Sequence, residues 1–166
     1  MNFELFIKYG PRLLEGLSVT LGIVALSICL GALLALPVTM ARISNNGILR
    51  GGSFLYVYFF RGTPLLAQTF LIYYGAGQFR GFFEDINMWW FFREAYNCVI
   101  LTFTLNTAAY QAEILRGAIK SVDRGQWEGA AALGVSQPVT FIKVILPQPR
   151  LSALRPFGNG FIPMSK

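Results

Sequence analysis

The sequence predicts an all-α, polytopic helical membrane protein, and three observations support that fold class. Hydrophobic residues make up 54% of the 166 residues and charged residues only 13%, about half the charged share of a soluble domain. Long segments carry no charge at all, and lysine and arginine cluster in two of the connecting segments. Because there is no histidine, the commonest general base and metal ligand is absent. The composition therefore favours a membrane protein with no catalytic residues, no metal and no cofactor.

The first predicted span covers residues 17–41, a run of 25 residues without charge. About 20 apolar residues suffice to cross a bilayer, and a cleaved signal has an apolar core of about 7–15 residues. We therefore interpret this segment as a permanent helix. Small side chains repeat along it every four residues: Ser27, Gly31, Ala35 and Thr39. This stripe predicts close packing against another helix, although chance richness in alanine and glycine would give the same pattern.

Two shorter segments follow. Residues 48–60 are apolar but short and flanked by arginines, which predicts an interfacial helix. Pro64 then suits the first turn of a new helix. Residues 64–79 carry no charge but number only 16, so this second predicted span needs help from neighbouring helices or from arginines that snorkel at its ends. The aromatic segment 89–92 is typical of a belt at the membrane interface.

The third predicted span, residues 95–112, has 18 residues without charge but many polar side chains. Polar groups in a membrane tend to face other helices or a water-filled path. Asn106 and Tyr110 are four residues apart and share a helix face. Together with Thr107 they are candidates for a substrate pathway, and ordinary hydrogen bonding between helices is the alternative explanation.

The distribution of positive charge predicts the orientation of the chain. Segment 41–63 has three basic residues and no acidic residue, and segment 113–155 has six basic residues. Segment 80–94 has two basic residues against three acidic ones. Because positive loops tend to stay in the cytoplasm, the first two segments are expected inside the cell, and segment 80–94 and the N-terminus outside. Three spans fit this alternation.

Residues 123–147 are predicted to form a folded helix-turn-helix rather than a loose tail. Asp123 can cap the first helix, and Gly134 stands where a left-handed C-terminal cap would fall. Ser136 can begin the second helix. The first helix carries one carboxylate on a surface almost free of side chains, which costs little entropy to immobilise against a partner. A short solvated helix without a partner is the alternative.

The sequence resembles the permease subunits of ABC importers for polar amino acids, of the histidine, glutamine and opine type. Three blocks carry the resemblance in the same order along the chain: Phe60–Leu65, Thr104–Ile119 and Gly125–Pro147. The third block resembles the EAA loop of that family, with Gly129 where the family has alanine. The resemblance extends over nearly the whole chain.

The resemblance implies a multi-pass subunit surrounded by lipid in the bacterial inner membrane, where it pairs with a second permease subunit, identical or paralogous. A separate ABC ATPase subunit would hydrolyse ATP and dock on the coupling helix, and a periplasmic substrate-binding protein would deliver the amino acid. No nucleic acid and no cofactor are implied. The residues expected to couple to the ATPase are Glu128, Ala130, Ala131, Ala132, Leu133 and Gly134.

Other classes of function fit less well. The predicted spans contain no Asp, Glu, Lys, Arg or His that could relay protons or couple ions. No phosphate-binding loop of the G-x-x-x-x-G-K-[ST] type occurs, so neither a membrane enzyme nor a self-contained carrier is favoured. Residues 151–166 number only 16 and include Arg155, which is too little for an ordinary span. Because the resemblance implies a complete fourth helix and a fifth, we expect an incomplete fourth helix and a C-terminally truncated chain. The alternative function is therefore a nonfunctional or structural permease remnant that lacks the last helices.

Overall fold

The computed structural model describes residues 3–140 and Lys143, and all regular structure within residues 3–140 is α-helical. This confirms the all-α prediction. The helices are α1 (Phe3–Ile43), α2 (Gly47–Gly62), α3 (Leu65–Gln78), α4 (Arg80–Asp85), α5 (Trp89–Phe92), α6 (Ala95–Lys120), α7 (Arg124–Ala132) and α8 (Gln137–Thr140). The chain forms two compact units, Met1–Ala112 and Glu113–Lys166.

Helix α1 contains the first predicted span and extends beyond it at both ends, to 41 residues. The uncharged run begins only after Arg12 and Glu15, but a charged side chain does not by itself end a helix, because both of these residue types have good helix propensity. Within the described residues, Tyr9–Ile43 is the single helix long and apolar enough to cross a membrane. The spanning role of residues 64–79 and 95–112 stays a prediction.

The predicted stripe of small residues on α1 is buried at all four positions. Gly31 lies so close to Thr107 of α6 that a Cβ added at Gly31 would be 3.1 Å from the Thr107 Cβ. Further along, the Thr39 hydroxyl donates hydrogen bonds to the carbonyl of Ala35 at 2.7 Å and to that of Ala112 at 3.2 Å. The stripe therefore packs α1 against α6, as its spacing predicts.

Helices α2 and α3 are separated by Thr63 and Pro64, both in extended conformation. Helix α2 packs against α1, and the Tyr56 hydroxyl donates a hydrogen bond to the Leu105 carbonyl of α6 at 2.6 Å. The 14 residues of α3 rise about 21 Å, less than the roughly 30 Å of a hydrocarbon core. The interfacial position of residues 48–60 stays a prediction as well.

The aromatic segment 89–92 forms the short helix α5, which a tight turn joins to the short helix α4 before it. Asn87 adopts a positive φ of 55°, and the Met88 amide donates to the Phe83 carbonyl at 2.8 Å. Asparagine is one of the few residues that accept this left-handed conformation at a helix end. The turn brings the Phe83 and Phe92 rings together, with centroids 4.3 Å apart.

The second unit contains the end of α6, which continues eight residues past residue 112 to Lys120. Within this last part of α6, Glu113 accepts a hydrogen bond from the Arg116 guanidinium at 2.8 Å. This hydrogen bond raises the pKa of Arg116. Of the predicted loop 123–147, the structure describes the part up to Thr140 and Lys143. Pro147 and the predicted incomplete fourth helix, 151–166, lie outside the described residues.

Candidate functional site

Helix α7 begins at a capped N-terminus, as the sequence predicts. The Asp123 side chain accepts a hydrogen bond from the Gly125 amide at 2.6 Å, and the Asp123 carbonyl accepts one from the Gln126 amide at 3.1 Å. The first amides of a helix have no partner within the helix, so a carboxylate at this position stabilises its start. The prediction of a cap at Asp123 is confirmed.

Helix α7 ends in a Schellman motif centred on Gly134. This glycine has a φ of +71°, and its amide donates to the Ala131 carbonyl at 3.0 Å. The Val135 amide donates to the Ala130 carbonyl, also at 3.0 Å. These two bonds satisfy carbonyls that the helix leaves unpaired. The predicted left-handed cap at Gly134 is therefore confirmed, and α7 is fixed at both ends.

Most of the predicted coupling residues lie on the surface of the second unit. The exposed ones are Glu128, Ala131, Ala132, Leu133 and Gly134. Leu133 is 83% exposed, whereas Ala130 is only 8% exposed. Within the described residues Glu128 forms no ion pair. These exposed residues are called the α7 surface, which carries one leucine, one carboxylate, two alanines and one glycine. Their contact with an ATPase stays a prediction.

Ala130 has a different position from the other five residues. Its side chain is buried, and its carbonyl accepts the hydrogen bond that closes the Schellman motif. Ala130 therefore supports the α7 surface rather than forming part of it.

The polar side chains of the third predicted span are mostly engaged within the first unit. Asn106 donates to the Phe60 carbonyl at 2.9 Å and to the Gln68 side-chain oxygen at 3.0 Å. Thr102 donates to the carbonyl of its own helix at Cys98, at 2.7 Å. The hydroxyl of Thr104 is buried without a hydrogen-bond partner among the described residues. Asn106 thus makes the interhelical hydrogen bonds that were the alternative explanation for its polarity.

The other two pathway candidates occupy different surroundings. Thr107 lies in the contact with Gly31 of α1. Tyr110 is 44% exposed, and the guanidinium carbon of Arg61 lies 5.2 Å from the centroid of its ring. Tyr110 is therefore the most accessible of the three, and a fixed positive charge accompanies it. A role of these residues in a substrate pathway stays a prediction.

Sequence reasoning missed Gln68. It is 2% exposed, and the two hydrogens of its amide nitrogen are shared among three acceptors: the Phe60 carbonyl at 2.9 Å, the Thr63 carbonyl at 3.0 Å and the Thr63 hydroxyl at 2.6 Å. One signal could have found it, because an amide within the uncharged run 64–79 is costly to bury unless it is hydrogen-bonded. Its partners, however, cannot be identified from spacing.

The described residues thus form a helical first unit and a second unit that carries the capped, exposed helix α7. The chain belongs to the family of binding-protein-dependent transport system inner membrane components, whose model matches residues 20–164. It is accordingly a membrane component of a transport system, and the family is not one of enzymes.

Several relatives cover most of the chain. It is 43% identical over 159 residues to the nopaline transport system permease protein NocM of Agrobacterium fabrum, covering 96% of this chain and 66% of that protein. It is 38% identical over 149 residues to the histidine/lysine/arginine/ornithine transport system permease protein HisM of Salmonella typhimurium, covering 90% of this chain and 63% of that protein. The chain thus spans about two-thirds of the length of these relatives.

A solved structure gives the same result. The chain matches the crystal structure of an amino acid ABC transporter with histidines, at a TM-score of 0.77 and 33% identity. The match covers 99% of this chain and 72% of that chain. The all-α membrane fold is therefore supported independently of the sequence relatives.

Proposed function

We propose that this chain is a transmembrane permease subunit of an ATP-driven importer for polar amino acids. Its family and the amino acid and opine substrates in the names of its relatives support this substrate class. The observation that carries the proposal is the exposed α7 surface, held between the Asp123 cap and the Schellman motif at Gly134. A helix fixed at both ends, with small side chains, suits docking into a partner.

In the proposed mechanism a separate ABC ATPase subunit binds and hydrolyses ATP and contacts the α7 surface from the cytoplasm. Small residues allow its backbone to come close at little entropic cost. Leu133 is the apolar anchor, since a few buried side chains carry most of the binding free energy of an interface. Movement of the ATPase would then shift α7 and drive alternating access in the spans.

The remaining partners and the orientation follow from the same proposal. A periplasmic substrate-binding protein delivers the amino acid, and a second permease subunit, identical or paralogous, completes the pathway. The N-terminus is periplasmic and α7 is cytoplasmic. Tyr110 on α6 lines the pathway as the most accessible of the three candidates. Asn106 and Thr107 support it through their contacts with neighbouring helices.

The test is co-purification of the full chain with its ATPase subunit from membranes. Glu128→Arg reverses the charge on the α7 surface, and we expect it to reduce the recovered ATPase at least tenfold. Ser121→Arg is the control, because Ser121 is also exposed in the second unit but precedes α7. Equal recovery of the ATPase with both variants would contradict the docking mode. ATPase binding by the native chain without amino acid uptake would favour the structural remnant instead.

A further inference from the structure

The end of α2 is unusual because side chains from two other helices satisfy its carbonyls. A helix leaves its last four carbonyls without partners in the helix. Here the Phe59 carbonyl accepts hydrogen bonds from the amide and the hydroxyl of Thr63, at 3.2 and 2.8 Å. The Phe60 carbonyl accepts one from Gln68 of α3 and one from Asn106 of α6, both at 2.9 Å.

Gln68 connects all the parts that meet at this point. Its amide nitrogen contacts the end of α2 at Phe60 and the linker at Thr63, and its oxygen accepts a hydrogen bond from Asn106 at 3.0 Å. The Gln68 side chain is almost completely buried. Both hydrogens of the Asn106 amide are directed to partners, one at Phe60 and one at Gln68. The two amides therefore act together rather than as separate contacts.

The Arg61 side chain lies next to this arrangement. Arg61 lies between Phe60 and Thr63. The Phe60 carbonyl accepts hydrogen bonds from the side-chain amides of Gln68 and Asn106, and the Thr63 carbonyl accepts one from Gln68. On α6, Tyr110 lies one helical turn after Asn106 and on the same face. Asn106 thus holds the Phe60 carbonyl one helical turn from Tyr110, and Arg61 is the next residue of α2. The guanidinium carbon of Arg61 is found 5.2 Å from the Tyr110 ring centroid.

We propose that Gln68 and Asn106 form a buried joint that fixes the α2–α3 break to α6 and thereby places Arg61 over Tyr110. Both are positioning residues. Removing either amide leaves buried polar groups of the other without partners, so loss of one partner should have nearly the full effect of losing both. The break at Thr63 and Pro64 is then a fixed corner rather than a flexible hinge. This inference does not depend on the proposed transport function.

The test measures cross-linking within the full chain in membranes, in a background where Cys29 and Cys98 are replaced by alanine. Cysteines at positions 61 and 110 are joined by a short bifunctional thiol reagent. We expect Gln68→Leu, the isosteric Gln68→Glu and Asn106→Leu each to slow cross-linking at least fivefold. The double variant Gln68→Leu/Asn106→Leu should be no slower than the singles, because coupled residues are not additive. The exchanged pair Gln68→Asn/Asn106→Gln should restore most of the rate.

Two controls distinguish a specific loss of the joint from a general loss of structure. Gln78→Leu changes an exposed glutamine on the same helix, and it should leave the rate unchanged. A reference cysteine pair at Thr39 and Ala112 reports the contact between α1 and α6, and its cross-linking should persist in the Gln68 variants. The proposal is overturned if Gln68→Leu leaves the cross-linking rate as high as Gln78→Leu does, or if the rate reductions of Gln68→Leu and Asn106→Leu multiply in the double variant. It is also overturned if cross-linking of the reference pair falls as much as that of the pair at positions 61 and 110. Because no ATPase or substrate takes part, these results are independent of whether the chain transports amino acids.

Discussion

A methyl group added to Gly31 of α1 would lie 3.1 Å from the Cβ of Thr107 and 3.2 Å from the backbone nitrogen of Ala108 on α6. These distances are tighter than ordinary carbon contacts of about 3.5–4.0 Å. Part of the contact is backbone, which cannot rotate away as a side chain can. Glycine at this position therefore sets how closely the two helices approach.

Gly31→Leu is predicted to destabilise the first unit. Overpacking of a tight contact costs about 1–3 kcal/mol, and Gly31→Ala should give a smaller loss. The measurement is the thermal unfolding midpoint of the detergent-solubilised chain, which is monitored by size-exclusion chromatography after heating. Gly22→Leu is the matched control, because Gly22 lies on the same helix with no atom within 4 Å of an added methyl group. Equal midpoints for the two leucine variants would contradict the packing argument.

Opposite effects are predicted for two glycines of the α7 region. Gly129 lies inside the helix with open space around it, so Gly129→Ala should stabilise α7 by up to about 1 kcal/mol. Gly134 has a φ of +71°, and alanine in this left-handed conformation costs about 1–2 kcal/mol. Hydrogen exchange of the α7 amides in the full chain should slow in the first variant and accelerate in the second. A change in the same direction for both would refute the assignment of the cap.

Local patterns in the sequence predicted the features that depend on neighbouring residues. The four-residue spacing that includes Gly31 predicted a buried face on α1, because a helix brings every fourth residue to the same side. Asp123 and Gly134 predicted the ends of α7, because caps form with amides and carbonyls only a few residues away. The end of α6 at Lys120 was not predicted. A run without charge indicates which residues can contact lipid, but it does not indicate where the helix ends.

Contacts between distant residues could not be predicted in the same way. Asn106 and Gln68 are separated by 38 positions, and no spacing rule connects them. The polarity of Asn106 suggested two roles, and only the fold places its amide on α2 and α3. Likewise, the small side chain of Ala130 suggested a docking surface, whereas the structure buries it. A surface on a partner protein depends on the sequence of that protein, so this sequence alone cannot predict it.

Tyr110 is predicted to contribute through its ring rather than its hydroxyl. Arg61 lies over the ring face, and a partly exposed cation–π contact of this kind contributes about 0.5–1 kcal/mol. Tyr110→Leu should therefore lower amino acid uptake by the assembled transporter by about two- to fivefold, whereas Tyr110→Phe should preserve it. Tyr96→Leu is the control, because Tyr96 is also exposed on α6. Equal losses with leucine and phenylalanine at position 110 would contradict a role for the ring.

The central claim, that α7 presents a cytoplasmic surface to an ATPase, is tested most directly by thiol labelling at position 133. Leu133 is 83% exposed, so Leu133→Cys in a chain without Cys29 and Cys98 provides a single reactive site. In sealed vesicles of known orientation, a membrane-impermeant maleimide should label this cysteine from the cytoplasmic face only, and bound ATPase should slow labelling at least tenfold. Labelling from the periplasmic face, or a rate unaffected by the ATPase, would contradict the account.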